Sequence, residues 1–162
     1  MQTKLALMMD MPEGKQPGFY AQVVKGIAAK VELFDRDREL LILDRPEDRD
    51  AVAEVLDHYR IGYEEMRLIL LPENAELFES FTDYGFETRS ERCYLYEKLM
   101  FLFRFEPPFG EQAEPAQALL QFEEHLVARF TSDGEQYFAA DEHQAELMAG
   151  IAKAYKCTIK PA

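Results

Sequence analysis

One pattern occurs twice in this chain, 96 positions apart, and it limits the folds open to the sequence. Residues Glu39 to Tyr63 read as an apolar strand, a helix start, an amphipathic helix and a turn into another strand. Glu135 to Ile159 repeats the order. Val52, Val55, Leu56 and Tyr59 align without a gap on Met148, Ile151, Ala152 and Tyr155, and Arg60 and Lys156 follow the paired tyrosines. Phe34 and Glu39 match Phe130 and Glu135 at the same offset. The preceding helix matches one residue out: Val24, Ile27 and Val31 fall on Leu119, Phe122 and Leu126. Lys4–Met8 matches Lys98–Leu102 a further residue out. Each slip lies between elements, where insertions are tolerated. A fixed internal period is the signature of one structural unit used twice.

The unit has the order βαββαβ. In the first copy the strands are Lys4–Met11, Val31–Asp35, Glu39–Asp44 and Glu64–Leu71. The helices follow Pro17-Gly18 and Pro46, since proline suits the first helical turn, where its missing N–H costs nothing. The first helix carries Val23, Val24, Ile27 and Val31 on one face, and the second carries Val52, Val55, Leu56 and Tyr59. In the second copy, Tyr94–Phe105, Val127–Phe130, Glu135–Ala139 and Cys157–Lys160 read as strands, with helices after Pro115 and Asp141. Asp141 and Gln144 form a capping-box pattern.

Right-handed crossovers then place strands 1 and 3 of each unit at the centre of a four-stranded antiparallel sheet, the ferredoxin-like arrangement. Leu40-Leu41-Ile42-Leu43 is apolar on both faces and so requires burial on both. Helices cover one face only; the other needs the second repeat or another subunit. The expected architecture is therefore α+β, with ferredoxin-like repeats over residues 1–72 and 93–162. A connector over 73–92 joins them, helical from Glu73 to Tyr84 through Leu77, Phe78, Phe81 and Tyr84 and ended by Gly85 in a Schellman turn.

The βαββαβ order, with Pro17-Gly18-Phe19-Tyr20-Ala21-Gln22-Val23 opening the first helix, resembles tandem ACT-type regulatory domains. The resemblance covers about the first 72 residues; the second unit has Pro115-Ala116 at the corresponding place. It implies a ferredoxin-like fold and a small effector bound near Gln16, Pro17, Gly18 and Phe19. The residues point the same way independently, since free N–H groups at a helix start can hold a carboxylate or phosphate.

Three function classes follow. The first is a non-catalytic module that binds a small ligand or a protein. The second is a dimeric α+β barrel enclosing an apolar pocket, for which Met8, Leu41, Phe101, Phe103 and Phe105 are candidate walls. The third is an acidic inhibitor of a basic or nucleic-acid-binding partner. The net charge is −13, spread throughout the chain, which argues against direct nucleic-acid binding because that needs a basic footprint. His58, His125 and His143 are scattered, and Cys93 and Cys157 have neither metal-ligand nor redox spacing. These features favour the first class, without intrinsic catalysis and with a protein partner or self-association. No cofactor and no metal site is indicated: Asp44, Glu47, Asp48 and Asp50 compensate a helix dipole, and Met8, Met9 and Met11 are core packing. Few cysteines, no membrane span and no secretory signal make the cytoplasm the expected location.

Overall fold

The computed structural model describes all 162 residues. It is α+β, with five helices and two antiparallel sheets, of six and five strands. No helix is long and apolar enough to cross a membrane. The chain divides into two compact units. One holds Gln2–Leu70 together with Glu87–Arg92; the other holds Leu71–Phe86, Cys93–Ala162 and Met1.

The first unit contains β1 (Gln2–Asp10), α1 (Pro17–Ala28), β2 (Leu33–Asp37), β3 (Leu40–Leu43), α2 (Arg49–His58) and β4 (Gly62–Leu70). Its strands lie in the order β2-β3-β1-β4. The register pairs Leu7 with Leu41 and with Glu65, and Ala6 with Ile42 and with Met66. Side chains alternate between faces along a strand. Leu7, Met9, Leu41 and Leu43 accordingly pack with Val23, Ile27, Val52 and Leu56 from the helices. Ala6, Leu40 and Ile42, on the opposite face, are buried as well.

The second unit contains β5 (Glu76–Leu77), α3 (Phe81–Tyr84), β6 (Gly85–Glu87, whose last residue is counted with the first unit), β7 (Cys93–Tyr96), β8 (Met100–Phe105), α4 (Pro115–Phe122), β9 (Leu126–Ser132), β10 (Glu135–Asp141), α5 (Ala145–Ala154) and β11 (Ile159–Pro161). Its sheet runs β11-β8-β10-β9-β5. The four strands of its βαββαβ segment thus stand in the same relative order as those of the first unit. The core gathers Phe103, Phe122, Phe138, Met148 and Ala152 on the helix side.

The ends of α2 and α5 agree in backbone detail. Arg60 (φ 58°) and Lys156 (φ 60°) both adopt the left-handed conformation after α2 and α5. Ile61 N–H then donates to Leu56 O, and Cys157 N–H to Ala152 O, each at 2.9 Å. These are equivalent helix-ending bonds. Met148 and Val52 are both fully buried. The expected match of Val55 with Ile151 is looser: Val55 is buried, whereas Ile151 is half-buried against its core.

Five expectations need correction. The sheets exceed four strands because the connector supplies β5 and β6 and the segment from Cys93 supplies a separate strand, β7. The expected helix from Glu73 shrinks to Phe81–Tyr84, because Glu76 and Leu77 pair with Arg129 and Ala128 of β9 instead. An edge strand's unpaired backbone groups outweigh a weak helical preference. The strand expected from Tyr94 to Phe105 is broken by a 3-10 turn at Glu97–Leu99. Gly85 is extended (φ −165°) rather than left-handed. Finally, the cap on Asp141 is not a box with Gln144: its Oδ1 accepts from His143 N–H at 2.7 Å.

Candidate functional site

The helix-start loop of the first unit is ordered by its own backbone. Phe19 N–H donates to Gln16 O at 2.9 Å, and Pro17 occupies the first turn. Gln16, Pro17 and Gly18 are exposed, while Phe19 meets Tyr59 edge-on at 5.8 Å. A Cβ on Gly18 would meet nothing within 4 Å, so glycine is not required there by close approach. These four residues line none of the clefts described below.

The corresponding strand-to-helix passage of the second unit does form a cleft. It measures about 220 Å³ and is lined by Arg104, Phe105, Pro107, Phe109, Glu135 and Gln136. Arg104 and Phe105 come from the end of β8, which sits between β11 and β10 in register with Lys160 and Ile159. Phe105 is fixed by the core, with Phe122 at 5.5 Å and Phe138 at 5.7 Å. Phe109 stands edge-on to it at 5.6 Å and is 37% exposed. Arg104 Nη1 lies 2.5 Å from Glu135 Oε2, and both remain partly open to solvent. The cleft thus combines a pre-positioned aromatic wall with one cation and one anion, the mixture of apolar lining and few polar groups that small-molecule sites use. Arg104 could have been noticed from sequence as the one charge inside the Met100–Phe105 strand, and Phe109 as an aromatic flanked by Pro107-Pro108 and Gly110.

A second cleft, about 240 Å³, lies between α1 and α2 and is lined by Gly26, Lys30, Glu54, Val55, His58 and Tyr59. Lys30 and Glu54 pair across it at 3.3 Å, and His58 stacks edge-on against Tyr59 at 5.1 Å. The histidines do not meet: His58 ends α2, His143 is 85% exposed beside Glu142, and His125 follows α4. Cys93 and Cys157 form no disulfide. No three metal-ligating side chains converge. Three of the four acidic residues around α2 have cationic partners: Asp44 with Lys4, Asp48 with Arg45, and Asp50 with Arg49.

Of the barrel-wall candidates, Phe105 lines the cleft beside Arg104. Leu41 and Phe103 are fully buried in the helix-side cores of their units. Phe101 and Phe105 pack against that same face of the second unit.

Two polar constellations were not legible as such. In the first unit, Asp35 carries a nearly buried carboxylate, its side chain 4% exposed. Thr88 Oγ1 donates to it at 2.7 Å, Ser90 Oγ at 3.1 Å and Arg36 N–H at 2.8 Å. The Arg92 guanidinium lies 3.8 Å away, donates to Phe34 O at 3.1 Å and covers the Phe34 ring. The segment Glu87–Arg92 is therefore strapped to β2. Asp35→Ala should cost about 2 kcal/mol: it leaves the buried Thr88 hydroxyl only a long 3.5 Å bond to Arg92 O, while the solvent around Arg92 weakens the ionic part. Urea midpoints would read this, and amide exchange in 88–92 should accelerate.

In the second unit, Tyr84 O–H donates to Asp141 Oδ2 at 2.6 Å. That bond, followed by the His143 N–H, holds the Asp141 carboxyl below its ordinary value and raises the Tyr84 phenol. A carboxylate depressed on folding stabilises the fold above its unfolded titration range and loses that contribution as pH falls through its folded one. In an NMR titration, Tyr84→Phe should move the Asp141 midpoint upward, toward the ordinary carboxylate range; an unchanged midpoint would show that the phenol does not hold it.

Comparison with protein-family models, curated proteins and solved structures finds no match for this chain.

Proposed function

We propose that this chain is a non-catalytic binding module built by duplicating a ferredoxin-like unit, and that it takes a small amphipathic molecule in the Arg104–Phe109 cleft. The shared strand order and the paired helix endings support the duplication. The observation that carries the binding reading is the cleft itself: a fixed aromatic wall beside an exchangeable ion pair. A ligand carboxylate would compete for Arg104, and a ligand ring or alkyl chain would lie on Phe105 and Phe109. The resemblance to ACT-type domains supports an effector-binding, regulatory role; the Gln16–Phe19 loop is the equivalent passage in the first unit.

The test is a titration of the isotopically labelled protein with small aromatic and branched carboxylates, following backbone amides. Shifts at Arg104–Phe109 and Glu135–Gln136 that vanish in Arg104→Met and weaken in Phe109→Ala are expected. Saturable shifts confined to other residues, or turnover of any compound in the set, would replace the reading.

A further inference from the structure

The five-stranded sheet of the second unit brings charged residues face to face at two places in its strand registers. At one, Glu76 of β5 stands opposite Arg129 of β9. Those charges are complementary and meet at 2.6 Å. At the other, Lys160 of β11 stands opposite Arg104 of β8. Those charges are alike. Residues directly opposite in an antiparallel pair leave the same face of the sheet with Cβ atoms about 5 Å apart, and like charges there are destabilising. The chain has 18 basic residues against 31 acidic ones, so a shortage of acids does not account for two cations set side by side.

The acids nearby do not answer both cations. Glu135 holds Arg104 at 2.5 Å, and the same oxygen, Oε2, accepts from Tyr137 O–H at 3.4 Å. Lys160 is half-buried and takes part in no ion pair; Glu106, two residues beyond Arg104, is exposed and likewise unpaired. A lysine on an edge strand deters stray strand pairing. A glutamate at position 160 would deter it equally and would also complement Arg104, so edge protection alone does not call for a lysine there. Arg104, meanwhile, lines the cleft with Phe105, Phe109 and Glu135. The like-charged pair therefore stands at the border of the one cleft that joins an aromatic wall to an ion pair.

We propose that Lys160 is a second anion-holding group of the Arg104–Phe109 cleft, and that the molecule bound there carries two negative charges beside its apolar body, as a phosphate monoester or a dicarboxylate does. The assignment rests on Arg104–Phe109 being the binding cleft and narrows what that cleft takes. One anionic oxygen meets the Arg104 guanidinium, whose planar fork suits carboxylate and phosphate alike. The other meets the Lys160 ammonium, a compact charge on a flexible four-carbon stem. A bound dianion relieves the repulsion that the free protein carries between β8 and β11, and a monoanion answers one cation only. Lys160 thus sets specificity by charge, while Phe105 and Phe109 set it by shape.

Three compounds sharing a phenyl ring test this at about pH 7.5, where a phosphate monoester is mostly dianionic. Phenylacetate, phenylsuccinate and phenyl phosphate are each titrated into the labelled full chain, following the amides of Arg104–Phe109 and the Lys160 side chain. At least one dianion should bind about fivefold more tightly than phenylacetate, the gain from one exposed ion pair, and the tighter of the two identifies the head group. Lys160→Gln should abolish that preference and leave phenylacetate binding unchanged. It should also keep or raise the melting temperature, since it removes the like-charge contact. Lys160→Arg should retain the preference. Equal binding of all three compounds by the unsubstituted chain, or a preference that survives Lys160→Gln, overturns the role of Lys160 and leaves the cleft standing as a small-molecule site. Shifts absent at Arg104–Phe109 with every compound at millimolar concentration overturn both.

Discussion

Phe103→Ala is expected to destabilise the chain by about 4 kcal/mol, as for large-to-small changes at aromatic core sites. Phe103 is fully buried at the centre of β8. Its ring meets Phe101 at 5.1 Å, Phe122 at 5.2 Å and Phe138 at 5.4 Å. Those neighbours come from β8 itself, from α4 and from β10, so truncation empties the middle of the helix-side core of the second unit. Close-packed surroundings relax only partly around such a void. Calorimetry or urea unfolding would measure the loss; a change below about 1 kcal/mol would mean the site collapses freely, contrary to this packing.

Gly85→Ala should be nearly as costly, about 3 kcal/mol or more, at the upper end for overpacking. Its φ of −165° is open to any residue, so the requirement is space alone. An added Cβ would drive into the Tyr94 carbonyl oxygen, and would also lie 2.9 Å from Phe81 Cε2 and 3.1 Å from Leu95 Cδ2. Side chains could yield; the backbone oxygen moves only if β6 and β7 part. Gly18→Ala is the control, since its site is open. Equal stability of the two variants, by thermal melts, would contradict the close approach.

These two residues illustrate what the sequence discloses. Phe103 belongs to a period-2 run of aromatics, and local alternation is enough to mark it as a strand core residue. The helix faces and the 96-residue echo were legible for the same reason: periodicity is local and survives without knowing the partner. Gly85 was legible as important but for the wrong cause. Following Leu77, Phe78, Phe81 and Tyr84, it looked like a helix terminator, yet the helix exists only from Phe81. The residues before it answer to β9, some fifty positions away, and periodicity cannot report such a demand. Asp35 failed similarly. It registered only as the end of the strand from Val31, because its donors Thr88 and Ser90 are 53 and 55 residues distant. The Arg104–Phe109 cleft was half visible: Phe105 drew notice as an apolar wall, but the paired charge on Glu135 comes from another strand.

The strap on Asp35 also has a temporal consequence. When a ribosome has delivered residues 2–70 of the first unit, that unit is still missing a piece, because Glu87–Arg92 belongs to it. At roughly 5–20 residues per second, the gap between Pro72 and Arg92 lasts on the order of seconds. Beyond that, the donors must clear the exit tunnel before they can reach β2. During this interval the Asp35 carboxylate keeps the Arg36 N–H but lacks Thr88, Ser90 and Arg92, and the polypeptide that will supply them is also the route by which the second unit is reached. The first unit is thus drafted early and sealed late, so a nascent fragment ending at residue 72 should be held less tightly at β2 than the same residues in the finished chain.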